Sequence, residues 1–83
     1  GNGAWVIQIA AAESESDAMK ILGKARSVGG KALANANPFT QSVKKGKATL
    51  YRARFSGFDT KDQAWTACEA LKRKQYGCFA LNN

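Results

Sequence analysis

Histidine is absent from this 83-residue chain, and six acidic residues stand against 13 lysines and arginines. Without histidine, the most common general base of enzymes is missing, and two cysteines alone do not form a usual zinc site. Five of the six acidic residues lie at predicted helix starts, which is typical of capping rather than of paired carboxylates for glycoside cleavage. No Walker loop or GxGxxG sequence is present. The sequence therefore predicts a domain that is not an enzyme and uses no cofactor or metal.

Long hydrophobic runs are also missing. No apolar stretch approaches the ~20 residues of a membrane-spanning helix, and no secretion signal is visible. Hydrophobic residues make up 45% of the chain and charged residues 23%, a balance that indicates a globular domain rather than a disordered one. We predict one domain over residues 5–83, preceded by a linker remnant at residues 1–4.

The chain is strongly basic, with a formal net charge of +7. This charge favours an anionic partner, such as nucleic acid, a membrane surface or an acidic cell-wall polymer, without choosing among them. The basic residues are spread over several segments, so an ordinary solvated surface explains them equally well.

The two halves of the chain repeat one pattern at an offset of 46 positions, which aligns Trp5 with Tyr51 and Ala18 with Ala64. Each half reads as a strand, a helix and a strand. Pro38 cannot donate a ladder hydrogen bond, so the second strand should lie at an edge or begin after it. The order βαββαβ predicts a ferredoxin-like α+β fold, a four-stranded antiparallel sheet with both helices on one face. The predicted strands cover residues 5–11, about 32–43, 49–55 and 78–81.

Capping signals mark both predicted helices. Ser14, with an acidic residue three positions later, begins the first helix, and Thr60 with Gln63 begins the second. Gly29-Gly30 is predicted to end the first helix and Gly77 the second, because glycine readily takes the left-handed conformation that follows a helix.

The face of the sheet without helices is the first place to look for a binding site. Arg52 and Arg54 should point there, because arginine is rarely buried without a partner. The 46-residue offset carries the alternation of side chains to the first strand, which adds Gln8, and the same alternation on the last strand adds Phe79. Phe39 is a further candidate. These amide, guanidinium and aromatic groups suit a sugar or a base, although a solvated sheet also carries such residues. The same alternation places Val6, Ala10 and Leu81 outward, and Trp5, Ile7, Ile9, Tyr51, Ala53, Phe55, Cys78 and Ala80 inward.

The two cysteines have positions that allow them to meet. Cys68 lies on the buried stripe of the second helix, and Cys78 lies on the inner side of the last strand. A disulfide there would close a loop of about 11 residues, contribute about 2–3 kcal/mol and indicate an oxidising compartment such as the periplasm. The alternative is a pair of buried free thiols in a cytosolic protein.

Two stretches, WVIQIAAAESESDAMKIL and TLYRARFSGFDTKDQAWTACEALK, resemble the two halves of a SPOR domain. The resemblance covers Trp5 to Leu81. The second half also resembles the C-terminal SPOR domain of some alphaproteobacterial D-alanyl-D-alanine carboxypeptidases. One departure is Ala10-Ala11-Ala12, where the family often has a small polar residue after the first strand. The residues that carry the resemblance are Gln8, Tyr51, Arg52, Gly57, Ala64 and Leu71.

The resemblance implies a βαββαβ domain that binds peptidoglycan glycan strands lacking stem peptides, which are enriched at division septa. Such a domain would lie in the periplasm or cell envelope. Arg52 or Arg54 would pair with the lactyl carboxylate of stripped muramic acid, Gln8 would bond N-acetyl or hydroxyl groups, and Phe79 would pack on a sugar ring. We expect the isolated domain to be a monomer that binds no nucleic acid and does not insert into a membrane.

Two other functions fit the same fold. An RNA-recognition module is also βαββαβ and often basic, but TLYRARFS lacks the glycines of its third-strand motif, and the aromatic residues here have the inward parity. A module that dimerises through its open sheet face is the other alternative.

Overall fold

The computed structural model describes residues 3–83. Gly1 and Asn2, half of the predicted linker, lie outside the described residues. The four strands form one antiparallel sheet in the order β2-β3-β1-β4, which confirms the predicted ferredoxin-like α+β fold. In chain order the elements are β1 (Trp5–Ala12), α1 (Glu15–Gly29), a 3-10 helix (Gly30–Leu33), β2 (Asn37–Lys45), β3 (Ala48–Phe58), α2 (Lys61–Lys72) and β4 (Phe79–Asn82).

The hydrophobic core lies between the two helices and one face of the sheet. Leu22 of α1 and Leu71 of α2 are fully buried there, together with Ile7 and Phe55 from the two central strands. Burying each such side chain contributes about 1.5–3 kcal/mol. The inward positions predicted for Ile7 and Phe55 are confirmed, and the other face of the sheet carries no helix.

Both predicted helix caps are present. The Asp17 backbone N–H donates a 3.1 Å hydrogen bond to Ser14 Oγ, and the Gln63 N–H donates one of 3.1 Å to Thr60 Oγ1. The Gln63 side chain reaches back, and its Oε1 accepts a 2.9 Å bond from the Asp59 N–H. These bonds satisfy amide groups that have no partner within the helix.

The two helices end in different ways. α1 ends at Gly29 and is followed by Gly30 with φ +56°, as predicted. The prediction that Gly77 ends α2 is wrong, because the chain leaves the helix earlier and Gln75 takes the left-handed conformation, with φ +75°. The Tyr76 N–H then donates to the carbonyl oxygen of Leu71 at 3.1 Å, and the Tyr76 side chain packs on the core. This contact fixes the reversal without a glycine.

The second strand begins later than the sequence indicates. The 3-10 helix takes up residues 30–33 and buries Leu33, and Ala36 is buried just beyond it. β2 therefore starts at Asn37 rather than near residue 32. Pro38 lies within β2, which is an edge strand, as its missing N–H requires.

A bulge interrupts the pairing of β1 with β3. Gln8 pairs with Arg54, but Ala10 pairs with Ala53, so Ile9 is an extra residue on β1. Both Ile9 and Ala10 pack against the core. The prediction that Ala10 points outward is wrong, because the bulge reverses the alternation after Gln8.

A second irregularity lies near the end of β3, where Gly57 has φ +108°. Gly3 is buried against it, and a Cβ atom on Gly3 would lie 2.9 Å from the backbone nitrogen of Gly57. The carbonyl oxygen of Ala4 accepts a 2.8 Å bond from the Asn83 N–H. Two residues of the predicted linker, Gly3 and Ala4, therefore contact the domain.

Candidate functional site

One row of side chains crosses all four strands on the face opposite the helices. Phe39 of β2 pairs with Arg54 of β3, Arg54 pairs with Gln8 of β1, and Gln8 pairs with Phe79 of β4. Directly paired residues project from the same side of a sheet, and their Cβ atoms are about 4.5–5.5 Å apart. We call these four residues the central row. It brings together four of the five residues predicted from the sequence.

The two middle residues of the central row are joined to each other. Arg54 Nε donates a 2.8 Å hydrogen bond to Gln8 Oε1. Because this bond uses the Gln8 oxygen, the amide nitrogen of Gln8 is left as a donor, and so are the terminal amino groups of Arg54. The centre of the open face therefore presents N–H donors to a ligand that offers oxygen acceptors.

Arg52, the fifth predicted residue, lies one step along the same face. It pairs with Gln41 of β2 and Ala11 of β1, and the rise of a strand separates it from Arg54 by about 7 Å. Burial lowers the pKa of Arg54, and the positive charge of Arg52 lowers this pKa further. An anion bound between the two guanidinium groups would relieve that repulsion.

The whole sheet is free of negative charge, since none of the four strands contains an acidic residue. The acidic residues lie in the helices or in the turns before them. The open face thus combines two arginines with no competing carboxylate of its own, which favours an anionic or oxygen-rich ligand.

Aromatic rings stand at both ends of the central row. Phe79 on β4 is 48% exposed, and Phe39 on β2 is half-buried. A phenyl ring offers a flat apolar surface on either side of the polar pair. Leu81 also faces outward beside Val6, but Val6 is only 1% exposed. Val6 therefore lies on this face, as its predicted outward position requires, but it is not accessible to a ligand.

A disulfide holds the last strand against the second helix. Cys68 of α2 is bonded to Cys78, the residue directly before Phe79, so the predicted disulfide is confirmed. β4 has four residues and pairs only with β1 among the strands. The disulfide therefore fixes the start of a short edge strand and, with it, the position of Phe79.

Sequence reasoning missed Gln41, an exposed amide next to Arg52 on the open face. The alternation in β2 would have identified it once the start of that strand was known. Within residues 3–83 no cluster of three potential metal ligands is present. No helix in this part of the chain is long and apolar enough to cross a membrane.

Comparison with known proteins gives a consistent result. The model of the SPOR domain family matches residues 1–82, and no curated protein matches the chain. The crystal structure of the RlpA SPOR domain from Pseudomonas aeruginosa is similar, with a TM-score of 0.77 and 16% identity over 95% of this chain and 99% of that one. The solution structure of the peptidoglycan binding domain of the B. subtilis cell wall lytic enzyme CwlC has a TM-score of 0.70 and 19% identity, covering 100% of this chain and 92% of that one. At these identities the likeness to the two structures concerns the fold alone.

Proposed function

Because this chain belongs to the SPOR domain family, we propose that its open sheet face binds peptidoglycan glycan strands and holds a larger parent protein at the bacterial cell wall. The observation that carries this proposal is the central row, in which two donor groups lie between two aromatic rings. The domain itself takes no part in cleavage. A cell-wall enzyme such as a D-alanyl-D-alanine carboxypeptidase is the kind of parent that such a domain would localise.

The chemistry of the ligand fits the donors of the central row. Muramic acid without its stem peptide carries a lactyl carboxylate, and Arg54 and Arg52 would pair with it through charge-assisted hydrogen bonds. The Gln8 amide nitrogen would donate to an N-acetyl carbonyl or a hydroxyl oxygen. The hydrogen bond between Arg54 and Gln8 holds both side chains in place before the ligand arrives, so less conformational freedom is lost on binding.

Aromatic packing would supply the apolar part of the contact. The four strands are about 4.8 Å apart, so Phe39 and Phe79 lie roughly 14 Å from each other across the sheet. A sugar ring that packs on Phe79 leaves the next sugars over the polar pair.

A preference for strands without stem peptides follows from charge. A stem peptide is attached through the lactyl carboxyl group as an amide, which removes the negative charge that the two arginines would pair with. Stripped strands would therefore bind more tightly and would direct the parent protein to division septa, where such strands are enriched. The disulfide supports the proposed periplasmic or cell-envelope location.

The test is sedimentation of the domain with insoluble peptidoglycan, before and after amidase treatment to remove stem peptides. We expect binding to rise after treatment and to be lost in a triple variant, Gln8→Ala with Arg52→Ala and Arg54→Ala. The matched control is Lys20→Ala with Lys24→Ala on α1. It removes an equal number of positive charges, two, from exposed positions on the helix side. Retention of the triple variant at the wild-type level would contradict the proposal.

The RNA-recognition alternative is disfavoured by the third strand. That mode of binding needs exposed aromatic rings there to stack on bases, but Phe55 is fully buried and Tyr51 packs against the core. A homopolymeric RNA in the same sedimentation assay tests this directly, and we expect it to leave the domain in solution.

A further inference from the structure

The β2–β3 hairpin extends beyond the rest of the sheet. Pairing of β1 with β3 ends at Ala12 and Tyr51, whereas β2 and β3 continue to pair as far as Lys45 and Ala48. Residues 43–50 therefore form a two-stranded projection, which we call the arm. It contains three lysines and no acidic residue.

The register places two of the three lysines, Lys44 and Lys45, on opposite sides of the arm. Lys45 has the same parity as Phe39, so it continues the open face of the sheet. Lys44 has the parity of Thr40, whose hydroxyl donates a 3.1 Å hydrogen bond to a carboxylate oxygen of Glu15 on α1. Lys44 therefore projects on the helix side. Both lysines are exposed.

The open face consequently carries a line of cations that follows the hairpin. Arg54 and Arg52 are about 7 Å apart, and Lys45 lies roughly 20 Å from the central row, measured by the rise of the strands. Between Arg52 and Lys45 lies the cross-strand pair of Val43 and Leu50, whose half-buried side chains form a small apolar surface. Positive charge and apolar surface thus alternate along one direction.

We propose that the arm is a second contact for the same ligand, and that an anionic glycan strand runs from Phe79, past Arg54 and Arg52, to Lys45. This inference rests on the proposed function. A linear polymer with repeated carboxylates matches cations placed at intervals, and the flat apolar side of a sugar matches the Val43–Leu50 pair. Once the central row is occupied, contact with the arm is an intramolecular step, so binding strengthens with ligand length.

The experiment compares two substitutions in adjacent residues of the full 83-residue chain. Lys45→Ala removes the positive charge that the arm contributes to the open face. Lys44→Ala removes an equal charge on the other side of the same strand. The probes are peptidoglycan oligosaccharides without stem peptides, one a tetrasaccharide and one a dodecasaccharide, with affinities measured by titration calorimetry. We expect Lys45→Ala to weaken the dodecasaccharide about two- to fivefold and to leave the tetrasaccharide unchanged. Lys44→Ala should leave both affinities at the wild-type value.

Other outcomes separate this inference from the function on which it rests. If the two variants lose equal affinity, or Lys45→Ala weakens neither oligosaccharide, the arm contact is wrong while glycan binding stands. If the wild-type chain binds neither oligosaccharide, the proposed function fails together with the arm. Added salt should reduce the difference between wild type and Lys45→Ala, because it screens exposed charges. Thermal unfolding midpoints of both variants that equal the wild-type midpoint would show that the fold is intact.

Discussion

Gln8 and Arg54 lie next to each other on the two central strands, and the 2.8 Å hydrogen bond between Arg54 Nε and Gln8 Oε1 fixes both side chains. The bond determines which atoms of each residue remain for a ligand. It converts two flexible groups into one preformed set of donors at the middle of the open face.

Gln8→Ala should therefore affect stability as well as binding. The substitution removes the partner of a partly buried guanidinium, so we expect a loss of about 1–2 kcal/mol in the free energy of unfolding and weaker retention by amidase-treated peptidoglycan. Urea denaturation measures the first effect and sedimentation the second. Gln41→Ala, which removes an exposed amide from the same face, is the control and should leave stability unchanged. Equal stability of the two variants would show that the hydrogen bond contributes nothing.

Loss of the disulfide should destabilise the domain substantially. Replacing Cys68 and Cys78 together by alanine reopens the loop between residues 68 and 78, and we expect the free energy of unfolding to fall by about 2–3 kcal/mol. Calorimetry with and without a reducing agent measures this. The reduced wild-type chain should resemble the double variant, and reducing agent should have no further effect on that variant. An unchanged unfolding midpoint in the reduced wild type would contradict the prediction.

Gly57→Ala should destabilise the domain through the backbone. Gly57 has φ +108°, and a Cβ atom there would lie 3.1 Å from the carbonyl oxygen of Asn35. We expect a cost of about 1–3 kcal/mol, measured by chemical denaturation. Gly46→Ala in the hairpin turn is the comparison, because Gly46 also has positive φ, +62°, but its Cβ would meet open space. We expect a smaller loss at Gly46, which has less crowding and a φ within the left-handed α region, and an equal or larger loss there would contradict the prediction.

Gly23→Ala should have the opposite effect. Gly23 lies within α1, is exposed, and would present its Cβ to open space. Alanine should raise the free energy of unfolding by about 0.5–1 kcal/mol, because it restricts the unfolded chain and favours the helix. The same denaturation series measures this gain, and peptidoglycan retention should not change. A loss of stability would show that the helix needs flexibility at this position.

The sequence predicts the central row well because two simple rules act together. Arginine resists burial, which orients β3. The alternation of side chains, carried to β1 by the 46-residue offset and then applied to β4, adds Gln8 and Phe79. The rules fail where the backbone departs from regular geometry. Alanine is tolerated on either side of a sheet, so nothing in the residue type of Ala10 reveals the bulge that turns it inward.

The ends of elements depend on tertiary contacts that a local pattern does not contain. Gly77 is the stronger local signal for the end of α2, but packing of Tyr76 on the core places the reversal at Gln75. Burial of Leu33 in the same way creates the 3-10 helix that delays β2. In both cases one side chain that packs against the core determines where the element begins or ends, against the local conformational preference of the neighbouring residues.

The absence of acidic residues from the strands also concerns how the domain reaches its target. The sheet and its hairpin turn carry five of the 13 basic residues and none of the six acidic ones, so positive charge is concentrated along the β2–β3 hairpin with no acidic residue in the strands. Near a negatively charged surface, this charge would draw the hairpin side of the sheet toward the surface first. Productive collisions would then be more frequent than the area of the face suggests, and the association rate would fall with ionic strength more steeply than the dissociation rate rises.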